Sequence, residues 1–245
     1  MTISIITVCF NSAKTIAETI ESVLSQSYPH IQYIIIDGGS TDGTLEIIRS
    51  YGPKINIVVS EPDNGLYDAM NKGISMATGE IIGILNSDDL FYSSTVLQKV
   101  ANAFLSAQPD IVYGNIWMSS SDQMNKPVRK WIAGRQRPFT SGWHPPHPAV
   151  YVKRRCYDDF GFYKPDFAVS SDFEMMLRLF HVHSLKAHYL DEVIVNMRMG
   201  GASTGSLKNI IVGNLNIKKA FRENQVSYPL LYPVKRVIKK LKQYI

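Results

Sequence analysis

The sequence predicts an α/β protein with a mostly parallel central sheet flanked by helices. Short apolar runs recur through the first half of the chain, amphipathic stretches at helical spacing separate them, and two of the runs end in carboxylates. Strands buried on both faces read as unbroken hydrophobic runs, and alternation of strand with helix is the pattern of crossover units around a parallel sheet.

Residues 4–10 read as the first strand, and Asn11 or Ser12 can cap a helix over 13–26 whose Ile16, Ile20, Val23 and Leu24 share a face. Residues 31–36 form the second strand, stopped by Asp37-Gly38-Gly39-Ser40. A helix over 44–51, a strand over 55–59, a helix over 66–77 and a strand over 80–85 continue the alternation. A helix over 94–105 and a strand over 111–117 extend it. Between about 119 and 148 the pattern breaks into polar, proline-bearing sequence with Trp131, Trp143 and His144-Pro145-Pro146-His147, and no regular element is expected there. A strand near 149–152, a helix over 172–183 and a strand over 186–195 follow.

With 245 residues and no linker or low-complexity stretch, the chain reads as one domain around one large core. No apolar run approaches the roughly 18 residues of a membrane span. Met1-Thr2-Ile3-Ser4 lacks the basic opening of a signal peptide, so a cytoplasmic protein is expected. Cys9 and Cys156 stand far apart without a CxxC or HExxH, which argues against a disulfide framework or a zinc site. The formal net charge of +5 is local, because Lys235, Arg236, Lys239, Lys240 and Lys242 place five positive charges within eight residues of the tail. A body that binds nucleic acid is therefore not expected.

The chemistry concentrates at Asn86-Ser87-Asp88-Asp89, which follows the apolar run 81–85. Two carboxylates at the end of a buried strand make a hard oxygen site of the kind that holds Mg2+ or Mn2+ against a diphosphate, although paired Asp after a strand also serves as a solvated turn or a helix cap. Asp37 ends the second strand, so two acidic strand ends share the crevice in which open α/β sheets bind ligands. No GxGxxG follows the first strand and no GxxxxGK[ST] occurs, so a bound diphosphate must be neutralised by metal and side chains.

The segments Ile5-Ile6-Thr7-Val8-Cys9-Phe10-Asn11, Ile36-Asp37-Gly38-Gly39-Ser40-Thr41-Asp42-Gly43-Thr44, Asn64-Gly65-Leu66-Tyr67-Asp68-Ala69-Met70-Asn71-Lys72-Gly73 and Asn86-Ser87-Asp88-Asp89 stand in an order and spacing that resembles the family 2 glycosyltransferases. The resemblance covers roughly residues 3–199. It implies the GT-A fold, with a nucleotide-binding half at about 1–117, an acceptor half at about 118–205 and a helical appendage over 206–245. It also implies a nucleotide-sugar donor: Asp37 would accept from the base of a uridine nucleotide, Thr7 and Asn11 would line the same pocket, Asp88 would meet the ribose or the metal, and Asp89 would ligate the metal directly. Many relatives carry Arg where this chain has Met70. Lys72 is a candidate substitute toward the diphosphate, but residues two apart on a helix do not share a face, and a solvated helix charge is the competing reading. Glu61-Pro62-Asp63-Asn64-Gly65 and Met199-Gly200-Gly201-Ala202-Ser203-Thr204 look like the colanic acid and exopolysaccharide branch of the family.

Sugar transfer needs a base for the acceptor hydroxyl. Asp172 opens an amphipathic helix whose Phe173, Met176, Leu177 and Phe180 pack inward, a place where an acidic residue also merely complements the helix N-terminus. The family places its general base in an Asp that begins this helix, usually after Glu where this chain has Ser171, so the resemblance assigns Asp172 that role; Glu174 is the competing carboxylate. A single carboxylate opposite the leaving group implies one displacement with inversion. His144 and His147, three apart across two prolines, could pair on a metal or act as ordinary loop residues, and the resemblance favours His147 as a contact to acceptor or phosphate. Trp131 and Trp143 could stack on a sugar face or serve as buried aromatics.

From Pro233 onward Val234, Val237, Ile238, Leu241 and Ile245 recur at helical spacing, with basic residues on the other face. Such a helix lies at an anionic membrane surface, at about 1 kcal/mol for each positive charge, or docks on its own domain with the lysines in solvent. With a glycan or lipid-linked acceptor, the first arrangement places the protein peripherally at the inner face of the cell membrane. The absence of QxxRW and of membrane helices implies transfer of one sugar per encounter. A catalytically silent nucleotide-sugar-binding subunit is the alternative, against which Asp89 and Asp172 both stand. A sugar nucleotidyltransferase would need a Gly-rich, basic loop after the first strand, and residues 7–13 supply neither.

Overall fold

The computed structural model describes residues 1–120, 123–167, 169–200, 207–241 and 243. Strands β1 (Ile3–Cys9), β2 (Ile31–Asp37), β3 (Ile57–Ser60) and β4 (Ile81–Ile84) run parallel in the order β3-β2-β1-β4. They are joined by helices α1 (Ile16–Leu24), α2 (Thr44–Ser50) and α3 (Leu66–Met76). Side chains alternate across the sheet. Ile6, Val8, Ile34 and Ile36 meet Ala69, Met70 and Ile74 of α3, while Ile5, Cys9 and Ile35 share the other core with Ile16, Ile20 and Val23 of α1. Burial on both faces is why β1, β2 and β4 read as apolar runs, whereas β3 at the sheet edge is only partly buried.

Beyond β4 the sheet becomes mixed. The chain adds β5 (Leu90–Phe91), α4 (Val96–Ala107), β6 (Ile111–Ser120), β7 (Gln123–Trp131), β8 (Val150–Lys153), α5 (Arg154–Phe160), α6 (Ser171–Leu177), which continues as a π turn over Arg178–Val182, and β9 (Ala187–Arg198). The strand order continues β4-β8-β6-β9-β5, with β8 antiparallel to both neighbours and β6 parallel to β9. Strand β7 corrects the expectation of irregular structure over 119–148. It is an edge ribbon on β6 with register shifts at Met118, Ser119 and Ser120 and with Pro127 opposite Ser119, so neither strict alternation nor a proline-free run marks it in the sequence.

The C-terminal segment forms α7 (Leu207–Glu223) and α8 (Tyr232–Leu241). Ile217, Ala220 and Phe221 of α7 and Tyr232 of α8 belong to the same core cluster as Phe173 and Leu177 of α6, so packing ties the tail to the body of the protein. Gly142, at φ +79°, lets α8 approach closely: a Cβ there would lie 3.2 Å from Lys235 Cβ and 3.3 Å from the Arg236 nitrogen. Along α8 the inward stripe is Tyr232, Arg236 and Lys239, continued by Gln243, whereas Val234, Val237, Ile238 and Leu241 are exposed. This reverses the docked arrangement expected from the sequence, in which the lysines face solvent. The expected division at 205–206, residues Gly201-Ala202-Ser203-Thr204, Lys242 and Ile245 lie outside the described residues. No described helix is long and apolar enough to cross a membrane.

Gly83 sets the spacing at the centre of the sheet, between β1 and β8. A Cβ there would meet Tyr151 ring carbons at 2.5 and 2.8 Å. Gly83→Ala is expected to destabilise the protein by about 1–3 kcal/mol through overpacking. Urea denaturation checks this, and an unchanged midpoint would show that the strand can shift to make room.

Candidate active site

The carboxyl ends of β1 and β4, the loops after β2 and β3, the starts of α3 and α6, the end of β7 and the inner side of α8 surround one cavity of about 1580 Å³. Asn86 and Asp88 enter it from the end of β4, and Asp172 enters from the start of α6. The adjacent carboxylates of the β4 motif point different ways. Asp88 lines the cavity, whereas Asp89 is 1% exposed. Both Asp89 oxygens are taken, Oδ1 by the Arg198 N–H at 3.1 Å and Oδ2 by Asn86 Nδ2 at 3.0 Å. Burial, and after it the neighbouring Asp88, push the Asp89 carboxyl up to about 8; burial also raises Asp88. The direct metal contact expected of Asp89 is therefore not the geometry found, and Asp88 is the carboxylate that faces the cavity.

Among the described residues no three His, Cys, Asp or Glu side chains converge into a protein-only metal site. Mg2+ and its analogues are commonly held by one or two carboxylates together with substrate phosphates, and this site offers that mode. Besides Asp88 it presents Asn86 Oδ1, a buried acceptor with no hydrogen-bond partner, in a side chain that lines the cavity. An unsatisfied hard oxygen next to a carboxylate fits a divalent cation.

Three other expectations change. Asp37 is fully buried, and its oxygens accept from the hydroxyls of Ser40 and Ser60 and from the Ser40 N–H, with Ser60 Oγ at 2.6 Å. It holds the Gly38 to Ser40 turn rather than lining the cavity. Asp63 does line it and lies directly over Gly38, where a Cβ would meet Asp63 Oδ2 at 2.6 Å. Thr7 is also fully buried, because strand alternation turns it with Ile5 and Cys9 toward Tyr33, whose hydroxyl is 3.2 Å from Thr7 Oγ1. Asn11 lines the cavity as expected; its Oδ1 accepts from the Thr41 N–H at 3.0 Å. Lys72 pairs with Glu61 at 2.9 Å and Asp68 at 3.8 Å and does not line the cavity. The Glu61 carboxylate raises its ammonium. The solvated helix charge is what the structure supports for Lys72, while Met70, on another face of α3, lines the cavity.

Asp172 stands in the first turn of α6. Tyr67 of α3 donates its hydroxyl to Asp172 Oδ1 at 3.2 Å and accepts the Ser170 N–H at 3.2 Å, which fixes the carboxylate at the cavity wall. Glu174 is fully buried and bound by Arg178, Lys164 and Asn224; burial raises its carboxyl, but these donors outweigh it and hold it below the usual range. Glu174 is committed to the core and leaves Asp172 as the cavity-facing carboxylate of α6. His147 lines the cavity with Nε2 at 2.6 Å from the Tyr163 hydroxyl, and His144 packs edge-on to Trp131 and Phe173. The two histidines have separate partners. Trp143 donates Nε1–H to the Ala133 carbonyl at 2.7 Å and is a core residue, whereas Trp131 is only half-buried at the cavity wall.

Sequence reasoning missed Arg198, whose N–H meets Asp89, whose Nε donates to the Asp88 carbonyl at 3.3 Å and whose Nη2 pairs with Glu18 at 2.8 Å. Nothing in Met197-Arg198-Met199 marks it, because its partners are more than 100 residues away in sequence. Asn86 and Asp63 were visible inside motifs but overshadowed by the carboxylates beside them.

The model of the family described as Glycosyl transferase family 2 matches residues 4–171. The chain belongs to this family. It is a glycosyltransferase, similar over 220 residues at 29% identity to a PGL/p-HBAD biosynthesis glycosyltransferase of Mycobacterium bovis, covering 88% of this chain and 82% of that one. Staphylococcus aureus TarS 1–349 in complex with UDP-GlcNAc matches with a TM-score of 0.69 at 17% identity, covering 96% of this chain and 69% of that chain. Against the longer TarS chain the share of that protein covered is 41%. The mannosyltransferase PcManGT from Pyrobaculum calidifontis in complex with GDP-Man and Mn2+ matches with a TM-score of 0.67 at 18% identity, covering 98% of this chain and 69% of that chain. These likenesses establish the GT-A-like fold expected from the sequence.

Burial, and after it the Arg236 charge, depress the His144 imidazole from its ordinary 6.5 to about 4. A depressed group binds more protons unfolded than folded, so stability is full above about pH 6.5 and is lost as pH falls toward 4. His144→Gln is expected to flatten that loss in thermal melts across this window, and an equally steep curve would remove His144 as its source.

Proposed function

We propose that the protein moves one sugar from a nucleotide-sugar, in the first instance a UDP-sugar, to a glycan or lipid-linked acceptor of cell-surface polysaccharide synthesis, by a single inverting displacement. The observation that carries this reading is that one cavity receives Asp88 and an unsatisfied Asn86 oxygen from β4 and a separate, tyrosine-held carboxylate, Asp172, from α6. Displacement at an anomeric carbon needs both ends: charge compensation at the departing diphosphate and a base at the acceptor hydroxyl.

Asp88 and Asn86 are the residues to hold Mg2+ or Mn2+. A bound divalent cation supplies the positive charge that the departing diphosphate requires. Asn11 and Asp63 bound the donor pocket beside the β1 and β3 ends, in place of Thr7 and Asp37. Asp89 keeps Asp88 facing the cavity by tying the end of β4 to the Arg198 backbone. Asp172 takes the proton of the acceptor hydroxyl as the new glycosidic bond forms. With no second cavity-facing carboxylate on α6, a covalent glycosyl-enzyme intermediate has no nucleophile there. The likeness to the Mycobacterium PGL/p-HBAD biosynthesis glycosyltransferase supports a biosynthetic role. The exopolysaccharide placement rests on the Glu61 to Gly65 and Met199 to Thr204 segments.

Two substitutions test the division of labour. Asp88→Ala is expected to abolish Mg2+-dependent UDP binding, read by titration with and without EDTA. Asp172→Asn should leave UDP affinity intact while transfer of labelled sugar to a membrane extract falls by about 10²- to 10⁴-fold, the range for a lost general base. Transfer within a few-fold of the parent, or a product that keeps the donor's anomeric configuration by NMR, overturns the mechanism. A parent that turns over no nucleotide-sugar would favour the silent binding subunit.

A further inference from the structure

Helix α8 is seated the wrong way round for an ordinary docked amphipathic helix. Its inward stripe carries Arg236 and Lys239, and with Arg137 and Lys240 they line the same cavity as Asp172. Among the described residues none of these four cations has an ion pair; Arg236 donates to Asn214 Oδ1 at 3.1 Å and Lys239 to Ser141 Oγ at 3.3 Å, both neutral. Burial, and after it the charges of Arg137 and Lys235, depress the Lys239 ammonium. The carboxylates that line the cavity are Asp42, Asp63, Asp88 and Asp172. His144, which packs edge-on to Phe173, feels Arg236, Lys239 and Asp172 together, which sets these two cations near the base.

Resting on the reading of Asp172 as the acceptor-side base, we infer that the acceptor is a lipid-linked molecule whose phosphate sits on Arg137, Arg236, Lys239 and Lys240, while the hydroxyl of the same molecule that receives the sugar gives its proton to Asp172. Four cations without an ion pair among the described residues call for more negative charge than a single carboxylate brings, and a phosphate supplies more, with an arginine fork to give it paired donors. The lipid follows from the other side of the same helix. Val234, Ile238 and Leu241, preceded by Leu230 at 93% exposure, form an apolar face on α8 and its approach, opposite the phosphate-binding stripe. A phosphate held on the inner face with a hydrocarbon chain leaving past the outer face satisfies both halves of the helix, and a bilayer surface is the occupant of the apolar side.

The probe is phytanyl phosphate in dodecyl maltoside micelles, with phytanol in the same micelles and inorganic phosphate as comparisons, read by tryptophan fluorescence. The full-length parent is expected to bind phytanyl phosphate about tenfold or more tightly than either comparison, as charge-assisted hydrogen bonds imply. Arg236→Gln with Lys239→Gln should lose that preference while retaining the parent's UDP affinity and circular dichroism. Ile238→Ser with Leu241→Ser should weaken binding of phytanyl phosphate but not of inorganic phosphate. Equal binding of phytanol, equal binding of inorganic phosphate, or a loss of UDP affinity in the Arg236 and Lys239 variant each overturns the proposal. Failure to bind phytanyl phosphate while the same preparation turns over a UDP-sugar overturns this inference alone and leaves the transferase reading standing.

Discussion

A carboxylate with 1% of its surface exposed joins the two halves of this sheet. Asp89 follows β4, receives the backbone N–H of Arg198 at the end of β9, and has its own carbonyl bound by Thr19 of α1 at 2.9 Å. A polar group taken out of water costs free energy unless it is hydrogen-bonded, so losing either contact leaves a buried group unsatisfied. With Asp89 held inward, its neighbour Asp88 is left facing the cavity. The parallel first half and the mixed second half of the sheet thus meet at a point where the cavity-facing geometry follows from a buried neighbour.

The opposite wall is organised by aromatic groups. Tyr67 and Tyr163 stack at 5.7 Å, one holding Asp172 and the other His147, while Asn71 of α3 exchanges hydrogen bonds with the Tyr163 backbone at 2.8 and 3.0 Å. The helix that carries Asp172 is anchored in turn by Glu174, whose buried charge is met by Arg178 and Lys164. Two acidic positions two residues apart on α6 therefore divide the work: one secures the helix in the core, and the other faces the cavity.

The cavity draws Asp42, Asp63 and Asp88 from the loops after the parallel strands and, separately, Arg137, Arg236, Lys239 and Lys240 from the loop after β7 and from α8. Their convergence is a tertiary property. The cations come from the loop after β7 and from a helix about 100 residues later, and Gly142 brings them together by letting the α8 backbone approach.

The hydrophobic run lengths determined β1 to β4 and the helices between them, because strands buried on both faces, as β1, β2 and β4 are, must be apolar throughout, and the four motifs determined the family and the part of the cavity lining at the ends of β1 and β4, after β2 and on α3. Asp172 was legible because a helix start is a local feature. Which member of Asp88-Asp89 faces the cavity, and the burial of Thr7 and Asp37, were decided only by the tertiary structure. Each depends on partners distant in sequence, Arg198, Tyr33 and Ser60, that no local pattern announces. The same holds for α8. Its periodicity is plain in the sequence, but periodicity specifies two faces without saying which is inward, and that choice was made by tertiary packing, with Tyr232 in the core and Arg236 and Lys239 along the cavity.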